Sequence, residues 1–416
     1  MYMPTSEDSL KAPHPSLDDI RRAARAVSGV VRETPVLSSR TLAKRTGVTA
    51  VLKAENLQRT GSFKLRGALA KMALLEHGAS IGVVTASAGN HAQAVAYGAR
   101  ERGLSCEVFM PESSPIAKAE ATTALGAQVH LVGETVHESL AAAQERAEEA
   151  GLAFVHPFDD PAVIAGQGSL GLELVEQVPD LSRVIVPVGG GGLISGVAIA
   201  VKSQRPDVEV IGVQAERCAP MRSSLEAGEP VAVNSALTIA DGIAVKQPGQ
   251  LTLSLIDRWV DDMLMVTEDE VAEAMVFLLE RAKLVVEGAG AVGVAAVLAE
   301  RIERDDRGTT AVILSGGNVD AGLLAQIARR HESQSGRRYV LLARLPDRPG
   351  SLAVLLALVG RTGANVLDVE HIREGFDLHV RESAVQLVLE TRGPQHAEEV
   401  RRAVREAGYD RPLVIR

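Results

Sequence analysis

The chain is poor in aromatic residues. Phe, Trp and Tyr together make up 3% of its 416 residues, although 46% are hydrophobic. The core must therefore be built from Ala, Val, Leu and Ile, and a planar ligand would meet few ring walls. Cysteine is scarce as well. Cys106 and Cys218 are the only two, too few for a disulfide framework or a zinc site, which favours a reducing compartment. No apolar run reaches the ~18 residues that span a bilayer, so no membrane segment is expected. Residues 1–14 contain acidic side chains and no apolar core, unlike a secretory signal, and cytoplasmic residence is the simple expectation. Positive charge is in short supply. The net charge is −9 and no long basic cluster offsets it, which argues against nucleic acid as a partner. No low-complexity segment and no internal repeat is present.

What the chain does have is length for two or three domains and a run of strands alternating with helices. The composition predicts strands at Ala50–Ala54, Ile81–Thr85, Cys106–Met110, Gln128–Val132, Arg183–Val188, Val208–Val213 and Thr310–Leu314. Helices are expected between them, among them 64–75, 116–125 and 135–150. This alternation implies βαβ units and parallel sheets with helices on both faces. Ligands of such sheets sit at the carboxyl ends of strands. Ser87–Asn90, Gly189–Gly192 and Ser315–Asn318 each follow a strand directly.

Two segments carry chemistry on their own terms. In Thr60-Gly61-Ser62-Phe63-Lys64-Leu65-Arg66-Gly67, a lysine stands among small and apolar residues at a helix start. Desolvation there would lower its pKa and make a neutral amine available for covalent catalysis; a snorkelling surface lysine is the alternative. Gly189, Gly190, Gly191 and Gly192, followed by Leu193, join a strand to a helix. Such a loop lets backbone N–H groups approach a phosphate, or it is simply a tight turn. It contains neither G-x-G-x-x-G nor Gly-Lys-Ser/Thr, which removes the dinucleotide and P-loop readings.

The segment Leu52–Lys64 resembles the cofactor-lysine segment of the threonine ammonia-lyase (threonine dehydratase) family of fold-type II pyridoxal-phosphate enzymes, which are tryptophan-synthase-beta-like. The similarity continues in order through Ser87–His91, Gly189–Leu193, Ala240–Ala244 and Ser315–Asn318, covering roughly residues 15–330. It implies that Lys64 holds pyridoxal 5'-phosphate covalently and then acts as base on the substrate. It implies further that Phe63 and Asn90 contact the ring, that Gly189, Gly190, Gly191, Gly192 and Leu193 hold the phosphate, and that Ser315 faces the pyridine nitrogen. Ser87, Ala88, Gly89 and His91 are candidates for the substrate carboxylate, with His91 as a packed neighbour the alternative. Glu287 either faces the ring or merely opens a helix. The implied reaction is loss of the β-hydroxyl of L-threonine as water, followed by hydrolysis of the enamine to 2-oxobutanoate and ammonia; L-serine would give pyruvate. Rivals are a serine racemase, a β-replacement enzyme and a non-enzymatic amino-acid sensor. Ala88 stands where racemases of this fold have a serine, and the segment at 240–246 is dehydratase-like. Some relatives bind a divalent cation through a carboxylate near Glu216 and another six residues later; here that position is Arg222, so no metal is expected.

Residues 1–15 read as a flexible arm, 16–330 as the catalytic domain with a smaller subdomain at roughly 55–155, and 331–337 as a polar linker. Beyond it the pattern becomes βαββαβ, a ferredoxin-like arrangement over 338–416 with a last strand at Leu413–Ile415. The turn Asp347-Arg348-Pro349-Gly350 and the segment Gly363–Val366 resemble the amino-acid-sensing ACT domain. This implies an amino-acid effector near Asn365, and a homo-oligomer, with a tetramer favoured.

Overall fold

A computed structural model of the chain describes residues 14–75, 82–234, 237–374 and 378–409. Nearly all of the expected arm and the strand expected at Leu413–Ile415 lie outside them. The chain divides into two compact units between Val319 and Asp320.

The first unit is α/β with two sheets. The larger has the spatial order Val36–Ser38, Ala50–Ala54, Thr309–Leu314, Leu181–Pro187, Glu209–Ala215, Asp262–Val266. All its pairings are parallel except that of the edge strand Val36–Ser38. The smaller sheet is parallel throughout, in the order Gln128–Leu131, Ser105–Met110, Gly82–Ala86, Ala153–Phe154. The central strand Leu181–Pro187 is buried along its whole length, as a parallel strand covered on both faces must be. Two edge strands, Val36–Ser38 and Asp262–Val266, escape the sequence reading because they are short and half-exposed.

Aromatic scarcity has the expected result. The main cores are almost entirely aliphatic, with Val184, Val186, Ile194, Val197 and Ile313 at the centre of the larger one. Small residues let helices approach closely. The helix Lys64–Ala73 lies on the helix Pro161–Gln177, where a Cβ at Gly67 would come within 2.8 Å of the Val163 carbonyl. Only glycine allows that contact, so the packing fixes the seat of the helix that begins with Lys64.

The second unit opens with the helix Ala321–Gln334, capped by Asp320. This corrects the expected linker: residues 331–334 are the last turn of that helix, and their polarity reflects an exposed helix end. Three antiparallel strands follow in the order Arg338–Pro346, Glu382–Glu390, Asn365–Ile372. The helices Ser351–Arg361 and Pro394–Glu406 pack with this sheet around Leu341, Leu355, Val359, Leu387 and Val400. The spatial order of the described strands is that of a ferredoxin-like sheet.

Candidate active site

Lys64 is the first residue of its helix, and Phe63 occupies the capping position. The turn before it is tied to the loop that follows strand Thr309–Leu314. The Phe63 N–H donates to the Ser315 carbonyl at 3.0 Å, and the Gly317 N–H to the Gly61 carbonyl at 2.9 Å. The Lys64 side chain faces a cavity that it shares with Phe63, Asn90, Glu287, Ser315 and the glycine loop. Its Nζ donates to the Pro157 carbonyl at 2.8 Å and lies 5.2 Å from the centre of the Phe63 ring. Burial pushes its pKa down to about 8, and the Glu287 carboxylate pulls weakly the other way.

The opposite wall is the glycine loop between Leu181–Pro187 and the helix Gly192–Lys202. Gly191 has φ +96°, in the region that favours glycine. A Cβ at Gly190 would lie 2.4 Å from the Phe158 ring, so the ring packs flush on the loop's backbone. The first N–H groups of the helix have no intrahelical partner and sit at its positive end, an anion site in the making. The Gly190 carbonyl is held by the Thr252 hydroxyl at 2.7 Å.

Between the two walls runs a chain of polar side chains. Asn90, at the start of the helix Asn90–Arg102, donates through Nδ2 to Glu287 Oε1 at 2.7 Å. Its Oδ1 accepts from Asn318 Nδ2 at 2.8 Å, and Asn318 also donates to the Thr60 carbonyl at 2.8 Å. Glu287 occupies the position before the helix Gly288–Leu298 and is 4% exposed. Burial pushes its pKa up to about 7, repulsion from Asp241 adds to this, and the Asn90 hydrogen bond with the charges of Lys118 and Lys64 works against it. Glu287 thus stands at a helix start, as one sequence alternative has it, and also lines the cavity.

Behind Lys64 lies a buried ionic network with no obvious sequence signature. Arg66 is fully buried and grips Glu55 with two donors at 2.8 Å each. It also reaches Glu173 at 2.6 Å, and Lys53 Nζ donates to the same carboxylate at 2.5 Å. Burial alone would raise the Glu55 pKa, but the charge and hydrogen bonds of Arg66 outweigh it and hold it below the usual value. Glu55 and Arg66 flank the Lys64 turn, so the network braces it from both sides.

Other expected residues fall elsewhere. Ser87, Ala88 and Gly89 form the turn before Asn90, where the Gly89 N–H donates to Ser87 Oγ at 3.2 Å. None of the three lines the cavity, and Ala88 packs against the aliphatic core of the smaller sheet. His91 is turned inward: it is 2% exposed, its Nε2 meets the Val155 carbonyl at 3.0 Å, and burial drives its pKa down to about 3. It is a packed residue, the alternative that the sequence left open. In the second unit Asn365 opens a strand and donates to Glu390 Oε2 at 3.1 Å. Arg222 donates to the Met263 carbonyl at 2.8 Å, and among the described residues no cluster of His, Cys, Asp or Glu suits a metal.

Sequence reasoning misses Phe158, Asn318 and the Pro157 carbonyl. Phe158 is detectable in principle: in a chain this poor in aromatics, a ring inside His156-Pro157-Phe158-Asp159-Asp160 is conspicuous. Asn318 closes one of the motifs, but nothing in the motif gives it a role.

These residues fit a phosphorylated ring aldehyde. They offer an amine of lowered pKa, a glycine-walled anion site at a helix start, and polar side chains between. Comparison with known proteins agrees. The family model for pyridoxal-phosphate dependent enzymes matches residues 27–316. The L-threonine ammonia-lyase of Thermotoga maritima is 47% identical over 400 residues, 96% of this chain and 99% of that protein. The catabolic L-threonine dehydratase of Escherichia coli K12 is 42% identical over 75% of this chain and 95% of its own. Among solved structures, the T.th. threonine deaminase is 43% identical with a TM-score of 0.69, covering 74% of this chain and 99% of its own. Maize serine racemase is 34% identical with a TM-score of 0.72, covering 77% and 99%.

Proposed function

We propose, since this chain belongs to the family of pyridoxal-phosphate-dependent enzymes, that it is a threonine ammonia-lyase converting L-threonine to 2-oxobutanoate and ammonia. The observation that carries this reading is the Lys64 amine, held at a pKa of about 8 on the wall of a cavity closed by the glycine loop. Pyridoxal phosphate, when bound, withdraws electrons from the substrate Cα and so acidifies its proton. Lys64 is the residue that binds the cofactor and takes that proton at Nζ. Burial favours the neutral form of this amine, which suits a general base. The glycine loop would hold the phosphate, Asn90 would contact the ring, and Ser315 would offer the ring nitrogen a hydroxyl rather than a carboxylate. The substrate loses its α-proton and its β-hydroxyl as water; the enamine released then takes up water and loses ammonia, giving the 2-oxo acid. L-Serine yields pyruvate by the same steps.

The racemase reading needs a proton donor on the face opposite Lys64. Ala88 carries a methyl group where racemases of this fold have a serine, and that favours elimination. The second unit reads as an ACT-like module that binds an amino acid near Asn365, a branched-chain one if the enzyme opens isoleucine synthesis. The ferredoxin-like strand order supports this. So does the fact that a threonine deaminase is matched almost wholly by three-quarters of this chain. A homo-tetramer in the cytoplasm completes the reading; no helix among the described residues is long and apolar enough to cross a membrane. The test is 2-oxo acid release from a panel of β-hydroxy amino acids, with chiral analysis of the residual substrate. Threonine and serine should yield 2-oxobutanoate and pyruvate; D-serine as the main product would overturn the assignment.

A further inference from the structure

Five residues that neither the motifs nor the proposed mechanism use, His156 to Asp160, touch both walls of the cavity. The Pro157 carbonyl accepts from Lys64 Nζ at 2.8 Å. The Phe158 ring lies flush on Gly190. Asp159 accepts from the Thr252 N–H at 3.0 Å, and Thr252 in turn holds the Gly190 carbonyl at 2.7 Å. Asp160 caps the helix Pro161–Gln177 and pairs with Lys71 at 2.6 Å, one face of the helix that Lys64 begins.

The turn is held in shape by one side chain. His156 Nδ1 accepts two backbone donors, the N–H of Phe158 at 3.2 Å and that of Asp159 at 2.7 Å. Accepting both requires an unprotonated Nδ1, so the ring carries its proton on Nε2. The ring also meets Phe158 edge-on at 4.8 Å. Burial, with the charges of Lys64 and Lys71, holds the imidazole neutral, its pKa down to about 4 despite the opposing pull of Asp160.

We propose that His156 is a positioning residue: as a neutral acceptor it folds the 156–160 turn, and this turn sets the spacing between the Lys64 amine and the glycine loop. The proposal rests on the cofactor reading and is independent of which amino acid is the substrate. Removing the acceptor leaves two N–H groups without a partner and loosens both contacts together. An asparagine side chain can accept from the same two donors, so it should restore the turn.

The experiment uses holoenzyme and two readouts besides turnover: the rate of cofactor loss on dialysis, and the pH midpoint of the bound cofactor's visible absorbance. His156→Leu should release cofactor about tenfold faster, the size expected for unpaired buried donors, and should shift the midpoint. His156→Asn should return both toward wild type. Thr252→Val removes the hydroxyl's bonds to the Gly190 and Gly249 carbonyls and keeps the backbone N–H to Asp159, so it should speed release and leave the midpoint in place. If His156→Leu does not fold, the asparagine and Thr252 variants decide. Release and midpoint unchanged in His156→Leu, or an asparagine variant as impaired as the leucine one, would overturn the proposal. So would a Thr252→Val enzyme that releases cofactor at the wild-type rate. A wild-type chain that binds no cofactor would instead overturn the reading beneath it.

Discussion

The two units treat polar groups in opposite ways. Up to Val319 the chain buries ionisable side chains completely: Lys53, Glu55, Arg66 and Glu287 are each at most 4% exposed. After Asp320 the buried polar residues among those described are Ser383, Thr391 and His396, none of them a Lys, Arg, Asp or Glu, and each is held by hydrogen bonds such as His396 Nε2 to the Thr362 carbonyl at 2.9 Å. The second unit has no lysine in its sequence at all. Burying charge is costly and seldom adds net stability. Its concentration around Lys64 therefore points to a demand beyond folding, namely an amine of shifted pKa in a fixed place. The second unit shows no such demand: its core is aliphatic and its buried polar groups are hydrogen-bonded.

The sharpest way to break this contrast is Lys64→Ala. Release of 2-oxobutanoate should fall to background while the circular dichroism spectrum and melting profile stay close to wild type, because the residue serves chemistry rather than packing. Retained turnover would end the assignment. Arg66→Met tests the bracing network. Leaving Glu55 without its cationic partner, and Glu173 with Lys53 alone, should cost ~3–5 kcal/mol, read as lost hydrogen-exchange protection around the helix Lys64–Ala73. Strand Glu382–Glu390 should keep its protection, since the damage belongs to the first unit.

A chain ending at Val319 should keep producing 2-oxo acid but lose any response to isoleucine or valine. Coupling of this kind is typically worth ~1–3 kcal/mol, several-fold to about hundredfold in affinity. A full-length enzyme whose threonine dependence and melting temperature ignore every amino acid would refute the sensing role. The smallest effect concerns Glu287. Its pKa is raised from 4.5 to about 7, so the folded chain holds a proton that the unfolded chain has already released. Stability should therefore fall as pH rises through that window. Glu287→Gln should flatten that slope, and a slope identical to wild type would show that the carboxyl is not desolvated.

Legibility followed the range of the interaction. The helix starting at Lys64, the strand Ala50–Ala54 and the glycine loop each rest on local rules, a turn residue or a short aliphatic run, and they appear where expected. The end of the helix 321–334 reads as linker in the sequence because an exposed helix end and a linker share the same polar composition. His91 is ambiguous because a helix-start histidine faces either a ligand or the core, and only packing against Val155 chose the core. The partnership of Glu55, Arg66 and Glu173 is invisible, since Arg66 and Glu173 are joined across more than a hundred positions.

By itself the sequence determined the alternation of strands and helices, the order of the motifs, and the residue types that chemistry would need: one lysine among small neighbours, four glycines in a row, a serine after a strand. Those are properties of short stretches, set by backbone freedom and hydrophobic period. Only the tertiary structure decided that Lys64 would be desolvated to a pKa of about 8, that Glu287 would share a desolvated pocket with Asn90, and that Phe158 would close over Gly190. Desolvation and contact depend on what the rest of the chain brings alongside, and that neighbourhood comes into being only when the sheets are assembled.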